Sequence, residues 1–254
     1  MNAIRKYSPN GSILVGRSLY ESLSMGILVA PALFFLSAGC GHQSPSAAEG
    51  ASRDRVSDPA GIFIVDGNSH TQSRHGAVAM PVNVLRELDN PPHLELIDVA
   101  HSGHGMVEMR VRAPTTVDPL YRPGRINLLL YWEGVHDLYE GFNAEQNFER
   151  IRQYGVDRQR TGFTVVTLSL LPGREATTPL TYERDRQTVN KLMRTHWREF
   201  ADAFIDVGAD PELGDPDAPI QGVYFSPDRV HMTDAGSERV AMLVADVLRP
   251  MLGH

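Results

Sequence analysis

The feature that most constrains the fold is an alternation of short apolar runs and amphipathic segments between Gly61 and the C-terminus. Apolar runs of this length predict strands, and the amphipathic segments between them predict helices that cover a parallel sheet. The predicted strands are residues 62–65, 94–99, 126–132, 163–171 and 203–207. The predicted helices are residues 78–88, 143–154, 182–200 and 235–252. We therefore expect an α/β fold in three layers, α/β/α, with a five-stranded and mostly parallel sheet.

Two details of this alternation bear on where a site would lie. Residues 126–132 form the most apolar of the predicted strands, which is typical of the centre of a parallel sheet. Residues 113–124 contain Pro114, Pro119 and Pro123 and predict a long irregular insertion between the second and third strands. In open sheets of this kind, ligands bind beyond the carboxyl ends of the strands. Functional side chains are therefore expected directly after strands.

The N-terminus has the pattern of a bacterial export signal. Residues 1–40 begin with basic side chains, continue with an apolar stretch at 25–36 and end in small residues before Cys40, which predicts a signal peptide and not a spanning helix. The run Leu36-Ser37-Ala38-Gly39-Cys40 resembles a lipoprotein cleavage box, although Ser37 stands where a large apolar residue is usual. A lipidated Cys40, cleavage without lipid and an uncleaved anchor remain open. We expect a lipoprotein of the bacterial envelope or periplasm, or otherwise a secreted protein.

Composition predicts one folded domain after a tether. Residues 41–59 are rich in Ser, Ala, Gly and Pro, which is typical of a flexible linker, and residues 60–254 are enough for one α/β domain. The formal net charge of −7 argues against a nucleic-acid partner, which would need a basic surface. The sequence has a single cysteine, so no disulfide can form within the chain.

A candidate nucleophile follows the first predicted strand, in the run Asp66-Gly67-Asn68-Ser69-His70. Gly67 permits a tight turn from strand to helix, which would lift the Ser69 hydroxyl to the edge of the sheet. A helix that starts there directs amide groups and the positive end of its dipole at the same place. That setting suits a reaction that develops a negative oxygen. The alternative for Ser69 is a simple helix cap.

A candidate base lies in the loop before the last predicted helix. Asp228 and His231 are separated by three positions, so both side chains can point to one side of a loop. Asp228 could then hold the imidazole of His231 in the tautomer that accepts a serine proton, and stabilise the imidazolium that forms. The alternative for this pair is an ordinary surface turn.

From about Gly61 to the C-terminus, the chain resembles the SGNH or GDSL family of serine hydrolases. Residues 67–69 (Gly-Asn-Ser) match the family's Gly-Asp-Ser motif, and Asp228 with His231 matches its Asp-x-x-His. The resemblance implies a flavodoxin-like fold and a triad of Ser69, His231 and Asp228. It also implies a short acyl ester as the substrate, for example an acetyl ester on a small molecule or a glycan, with no cofactor and no metal.

The resemblance also implies an oxyanion hole. Gly103, in a turn after the second strand, matches the family's glycine amide donor, which would act beside the amide of Ser69. Residues 134–137 (Gly-Val-His-Asp) stand where the family has Gly-x-Asn-Asp, so His136 takes the place of the oxyanion asparagine. Asn68 in place of aspartate is the other departure. Loss of one donor costs on the order of 3 kcal/mol, so a misdirected His136 would lower activity by roughly 10²- to 10³-fold.

Three other functions remain open on the sequence. An O-acyltransferase would use the same triad and differ only in its acceptor. A non-catalytic envelope protein could keep the fold as a binding surface, which the departures at Asn68 and His136 favour. A metal-dependent hydrolase is suggested by histidines and aspartates near the strand ends. These are His70, His101, His104, His136, His231, Asp66, Asp98, Asp137 and Asp228.

Overall fold

The computed structural model describes residues 5–7, 13–14, 59–72, 80–88 and 94–253. They belong to one of the two units into which the chain divides, formed by Met1–Gly16 and Asp58–His254. Cys40, the apolar stretch at 25–36 and nearly all of the predicted linker lie outside the described residues, so what was predicted for them stays a prediction. In the part of the chain that the structure describes, no helix is long and apolar enough to cross a membrane.

A seven-stranded sheet organises the structure. Its strands are β1 (Arg5–Tyr7), β2 (Ile13–Leu14), β3 (Gly61–Gly67), β4 (Leu94–Asp98), β5 (Ile126–Trp132), β6 (Thr164–Leu168) and β7 (Ala203–Ile205), in the spatial order β2-β1-β4-β3-β5-β6-β7. The predicted five parallel strands are confirmed as β3 to β7, with β5 at their centre. Strands β1 and β2 add antiparallel pairs beside β4. Both lie within the predicted signal peptide, so its removal would leave the five parallel strands.

Helices cover both faces of this sheet. They are α1 (Ser69–Gln72), α2 (Met80–Glu87), α3 (Met106–Thr116), α4 (Val135–Tyr139), α5 (Ala144–Thr161), α6 (Tyr182–His196), α7 (Ala218–Gln221) and α8 (Asp234–Met251). Residues of α2 and α8 share a core with Phe63 and Val65, whereas residues of α3, α5 and α6 share the other core with Ile62 and Ile64. Successive side chains of β3 thus enter different cores, as the period of a strand requires. The predicted three-layer α/β/α fold is confirmed.

The segment predicted as an irregular insertion is mostly helical. Helix α3 includes Pro114, and a 3₁₀ turn follows at Asp118–Leu120. The prediction was wrong because the prolines of the segment indicate a loop, whereas the spacing of Met106, Met109 and Ala113 places three side chains on one buried helix face. Burial of that face outweighs the one helix hydrogen bond that Pro114 cannot donate.

The carboxyl ends of the central strands bring the candidate residues to one edge of the sheet. Ser69 follows β3, Gly103 lies in the turn after β4, and His136 lies on α4 directly after β5. Helix α4 was not predicted, and helix α5 continues past its predicted end to Thr161, where Gly162 caps it in the left-handed conformation. The loop before α8 reaches the same edge, because its His231 contacts Ser69.

Candidate active site

The turn after β3 presents Ser69 at the start of α1. Gly67 is needed in this turn, because a Cβ there would come within 2.5 Å of the carbonyl oxygen of Trp132. Asn68 caps the short helix: its Oδ1 accepts a hydrogen bond of 2.8 Å from the amide of His70. The amide of Ser69 itself donates to no acceptor among the described residues. Residues 67–69, the candidate nucleophile turn, therefore offer both a hydroxyl and an uncommitted backbone donor.

Three residues predicted as a triad form one hydrogen-bonded chain. Oγ of Ser69 lies 2.9 Å from Nε2 of His231, and Nδ1 of His231 lies 2.8 Å from Oδ2 of Asp228. A carboxylate can only accept, so Nδ1 carries a proton and Nε2 presents its lone pair to the serine hydroxyl. Burial alone would raise the pKa of Asp228, but hydrogen bonds from the Val230 amide and from His231 outweigh it and lower that pKa. The carboxylate therefore stays ionised.

His70 joins the candidate nucleophile turn to the loop that carries Asp228 and His231. Its Nε2 donates to the carbonyl oxygen of Val230 at 3.0 Å, and its ring lies against Trp132 with centroids 5.3 Å apart. Burial, with added repulsion from His231, lowers the pKa of His70 to about 4. The ring is therefore neutral near pH 7. The sequence indicated His70 only as a histidine near a strand end, whereas its contacts position the loop beside Ser69.

The backbone amides predicted as oxyanion donors lie on turns that are bonded to each other. Gly103 has a φ of 81° and lies in a turn closed by the bond from the His104 amide to the His101 carbonyl. The amide of His101 donates to the carbonyl of Gly67 at 2.8 Å, which fixes this turn to the candidate nucleophile turn. Like the amide of Ser69, that of Gly103 has no acceptor among the described residues. Both donors can serve a negative oxygen.

A buried carboxylate that the sequence analysis did not single out lies between Asn68 and His136. The side chain of Glu133, directly after β5, is 0% exposed. It accepts a hydrogen bond from Nδ2 of Asn68 and another, of 2.8 Å, from the amide of His136, whose Nδ1 is 3.2 Å from the same carboxylate. The signal in the sequence was a charged residue at the end of the most apolar strand, where an unpaired charge would be costly.

His136 faces this carboxylate with one ring nitrogen. Burial alone would lower the pKa of His136, but the hydrogen bond and the charge of Glu133 outweigh it and raise that pKa. The other nitrogen, Nε2, makes no hydrogen bond within the described residues, and the side chain is 29% exposed. The predicted third oxyanion donor is therefore held from one side and has a ring nitrogen left for a ligand.

A second buried carboxylate supports the candidate nucleophile turn from the side of α3 and α5. Asp66 accepts hydrogen bonds from the guanidinium of Arg112, from the phenol of Tyr154 at 2.5 Å and from the Gly67 amide at 2.8 Å. Arg112 also donates to the carbonyl of Val99 at 2.9 Å. Burial raises the pKa of Asp66, and the charge of Arg112 with the three hydrogen bonds offsets only part of that rise.

The histidines and aspartates that suggested a metal do not converge on one point. His101 and His104 stack on each other with ring centroids 3.7 Å apart. Asp98 and Asp137 accept hydrogen bonds from backbone amides. Across residues 59–72, 80–88 and 94–253, no group of three or more His, Cys, Asp or Glu side chains is arranged to hold a metal ion.

The structure is similar to solved structures of GDSL-like hydrolases. A protein described as a GDSL-like lipase, from Parabacteroides merdae, has a TM-score of 0.55 and 15% identity, over 74% of this chain and 94% of that one. The lipase/acylhydrolase from Enterococcus faecalis has a TM-score of 0.55 and 14% identity, over 75% and 96%. The acetylxylan esterase Axe2 from Geobacillus stearothermophilus has a TM-score of 0.52 and 13% identity, over 77% and 97%.

No family model matches the chain, and no curated protein does so either. The similarity to the solved structures lies at 13–15% identity, which establishes the fold. The chain has the fold of the SGNH/GDSL-like hydrolases, and the resemblance inferred from its motifs is confirmed at that level.

Proposed function

We propose that this protein is a serine esterase of the SGNH type, which cleaves short acyl esters. The observation that carries the proposal is the hydrogen-bonded chain from Ser69 through both ring nitrogens of His231 to Asp228, with steps of 2.9 and 2.8 Å. The place of Ser69 supports it, because open α/β sheets bind ligands beyond the carboxyl ends of their strands. A fold of this kind hosts many functions, so the proposal rests on the site.

In the first half of the reaction, His231 acts as the general base. Its Nε2 takes the proton of the Ser69 hydroxyl as Oγ attacks the carbonyl carbon of the ester. Asp228 keeps the other ring proton on Nδ1 and stabilises the imidazolium that results. When the tetrahedral intermediate collapses, the bond to the alcohol oxygen breaks and the alcohol leaves with the proton from Nε2. Ser69 is then an acyl ester.

In the second half, water takes the place of the alcohol. It gives a proton to Nε2 of His231 while its oxygen attacks the acyl carbon, and the carboxylic acid leaves as Oγ of Ser69 regains the proton. In both halves, the amides of Ser69 and Gly103 and the side chain of His136 donate to the oxyanion. Each donor of this kind contributes on the order of 3 kcal/mol to the stability of the transition state.

The substrate that we infer carries a short acyl group, such as acetyl, on a hydroxyl-rich alcohol. The support for this choice is the acetylxylan esterase among the structurally similar proteins. A cleft of about 380 Å³ lies beside the triad loop at Arg229, but none of Ser69, Asp228 and His231 lines it, so it is a neighbour of the site and not the site itself.

We also propose that the protein is exported and held at the bacterial envelope by a lipid on Cys40. Residues 41–59 would then serve as the tether and residues 60–254 as the catalytic domain. The support is the pattern of basic, apolar and small residues in the first forty positions. From that place the site would reach acyl esters of envelope glycans.

The test is an assay of p-nitrophenyl acetate and p-nitrophenyl butyrate hydrolysis, with and without EDTA. Ser69→Ala should lower kcat by at least about 10⁴-fold, because the serine supplies the bond that defines the acyl-enzyme. The matched control is Ser102→Ala, which removes a hydroxyl from a neighbouring turn and should leave kcat within about twofold of the wild type. EDTA should have no effect.

The other outcomes separate the alternatives. Equal activity of the Ser69→Ala variant and the wild type would refute the serine mechanism, and loss of activity with EDTA would favour a metal-dependent hydrolase. Release of one equivalent of p-nitrophenol, followed by turnover only after a sugar alcohol is added, would identify an acyltransferase. A folded protein that shows neither burst nor turnover would favour a binding role.

A further inference from the structure

The buried carboxylate of Glu133 connects both positions at which this chain departs from the usual family motifs. It accepts hydrogen bonds from Nδ2 of Asn68 and from the amide of His136, and its two oxygens lie 3.2 and 3.3 Å from Nδ1 of His136. Asn68 directly precedes the nucleophile, and its Oδ1 is already bonded to the His70 amide. The orientation of the Asn68 amide is thus fixed, with Nδ2 toward Glu133.

The proton that Glu133 holds on Nδ1 of His136 determines whether Nε2, the other ring nitrogen, can donate a hydrogen bond. A carboxylate beside Nδ1 keeps a proton on that nitrogen in every protonation state of the ring. If His136 were neutral, Nε2 would carry a lone pair and would repel a developing oxyanion. Only the imidazolium has a hydrogen on Nε2 as well. Because Glu133 keeps the proton on Nδ1, only the imidazolium form of His136 can donate a hydrogen bond from Nε2.

The groups around His136 favour that charged form. Carboxylates at three positions attract the ring charge, and two imidazoles oppose it. The carboxylates are Glu133, Asp137 and Glu140, and the imidazoles are His70 and His104. His70 is neutral near pH 7 because burial lowers its pKa to about 4. Burial also lowers the pKa of His104, so the net field at His136 comes from the carboxylates.

We propose that Glu133 is a positioning residue that holds His136 as an imidazolium, with Nδ1–H on the carboxylate and Nε2–H directed to the oxyanion. The proposal rests on the esterase function and replaces a neutral amide donor of the family with a cationic one. A hydrogen bond from a charged donor is roughly twice as strong as a neutral one. Glu133 contacts neither the ester nor the nucleophile and acts through His136.

The same arrangement explains why residue 68 is asparagine. An aspartate there would place its carboxylate against that of Glu133, at a contact now made by Nδ2 of Asn68. Two buried carboxylates in contact cannot both ionise without a large cost. Nδ2 of Asn68 also lies 3.5 Å from Nδ1 of His136. A carboxylate moved from residue 133 to residue 68 would therefore still lie beside the ring, which makes a charge relocation possible as a test.

The first measurement is independent of activity. Histidine labelled with ¹⁵N in the Ser69→Ala variant reports the protonation of each ring by NMR, and loss of a signal in His136→Asn assigns that of His136. We expect His136 to titrate above the usual range of histidine, and Glu133→Gln to move its midpoint down by at least about one pH unit. The relocated pair Asn68→Asp with Glu133→Gln should restore at least half of that shift. The matched control is Asp137→Asn, which removes another buried carboxylate and should move the midpoint less.

The second measurement is the pH profile of kcat for ester hydrolysis. The rate should fall at higher pH, where His136 loses its proton. Glu133→Gln should lower kcat near neutral pH by about 10- to 100-fold, with little change in KM, and shift the alkaline limb to lower pH. In the His136→Asn background that limb should be absent, and adding Glu133→Gln should cost less than about threefold.

The outcomes distinguish this proposal from the function on which it rests. A His136 midpoint that does not respond to Glu133→Gln overturns the proposal, whether or not the protein is an esterase. A responsive midpoint in a protein without Ser69-dependent turnover supports the charge pair and refutes only the esterase. If Glu133→Gln unfolds the protein, the Asn68→Asp and Glu133→Gln double variant decides. A His136 midpoint above the usual range of histidine supports the proposal, and a midpoint within that range contradicts it. An equal loss of kcat on Glu133→Gln with and without His136 also contradicts the positioning role.

Discussion

Two regions of the site use carboxylates in opposite settings. Asp228 lies on the loop before α8 with 37% of its side chain exposed, and its partner His231 is three residues away in the sequence. Asp66 and Glu133 have side chains that are 0% exposed, and they bond to Tyr154 and Asn68 across 88 and 65 residues of chain. The exposed carboxylate can orient the ring of His231 at little cost to the fold. The buried carboxylates tie distant segments together, so the stability of the edge depends on them.

The largest effect should come from the exposed side of this comparison. Asp228→Asn should lower kcat by about 10³- to 10⁴-fold, because an amide can donate to Nδ1 of His231 and so favour the tautomer whose Nε2 cannot take the serine proton. The free energy of unfolding should change by less than about 1 kcal/mol, since the side chain is partly solvated. Ester hydrolysis and urea denaturation measure the two quantities. The control is Asp217→Asn, at an exposed carboxylate bound to Arg174.

A loss of several kcal/mol in the free energy of unfolding of Asp228→Asn would contradict the claim that the exposed carboxylate adds little to the fold. An Asp217→Asn variant that loses as much activity as Asp228→Asn would break the comparison on this side, because the effect would then come from any charge near the loop.

The next effect should come from the buried side. Arg112→Met removes the cation that pairs with Asp66 and leaves the carboxylate uncompensated, which should lower the free energy of unfolding by about 3–5 kcal/mol. The matched control on the same helix is Arg110→Met, which breaks an exposed pair with Asp157 and should cost at most about 1 kcal/mol. Chemical denaturation gives both values.

A second substitution sharpens this prediction. Adding Asp66→Asn to Arg112→Met removes the unpaired charge and should recover part of the lost stability. If Arg110→Met and Arg112→Met lowered the free energy of unfolding equally, the buried ion pair would contribute no more to stability than the exposed one.

The smallest effect concerns His70, which connects the two regions. The folded protein holds the pKa of His70 at about 4, below its ordinary value of 6.5 in the unfolded chain. The unfolded state takes up the proton more readily. The contribution of neutral His70 to the free energy of unfolding is therefore complete above pH 6.5 and is lost as the pH falls toward 4. This group should lower the free energy of unfolding by about 2 kcal/mol between pH 7 and pH 5.

His70→Gln tests this effect, because glutamine keeps an N–H for the Val230 carbonyl and does not titrate. Urea denaturation at both pH values should show a smaller acid-induced loss in the variant than in the wild type. An equal loss in both proteins would assign the pH dependence to other groups.

The Asp228–His231 pair could be predicted from the sequence because its contact is local, whereas Ser69 lies 162 residues from His231 and was matched to it through the family motifs. Asp228 and His231 are close in any loop conformation, and a glycine after an apolar strand already indicates where Ser69 would lie. The five parallel strands, the layers and four of the eight described helices (α2, α5, α6 and α8) could be predicted because each follows from a periodic pattern. The catalytic roles of these residues remain proposals.

The buried half could not be predicted, because only the fold brings its members together. Nothing near Glu133 in the sequence indicates that Asn68 is its partner, and nothing near Asp66 indicates Arg112. Arg112 lies on helix α3, close to the segment whose prolines predict a loop. Long-range pairs of polar residues carry no periodic signal, whereas apolar faces do.

The contacts of Glu133 have a consequence for the history of this sequence. Asn68, Glu133 and His136 form an epistatic unit, in which the cost of a change at one position depends on the residues at the other two. A single step to aspartate at 68 meets a carboxylate, and a single step to asparagine at 136 removes the ring that balances the charge of Glu133. We expect relatives to carry the three together or to lack all three. A homology search that scores each column separately would therefore undervalue these relatives, and a joint score of the three positions would recover them.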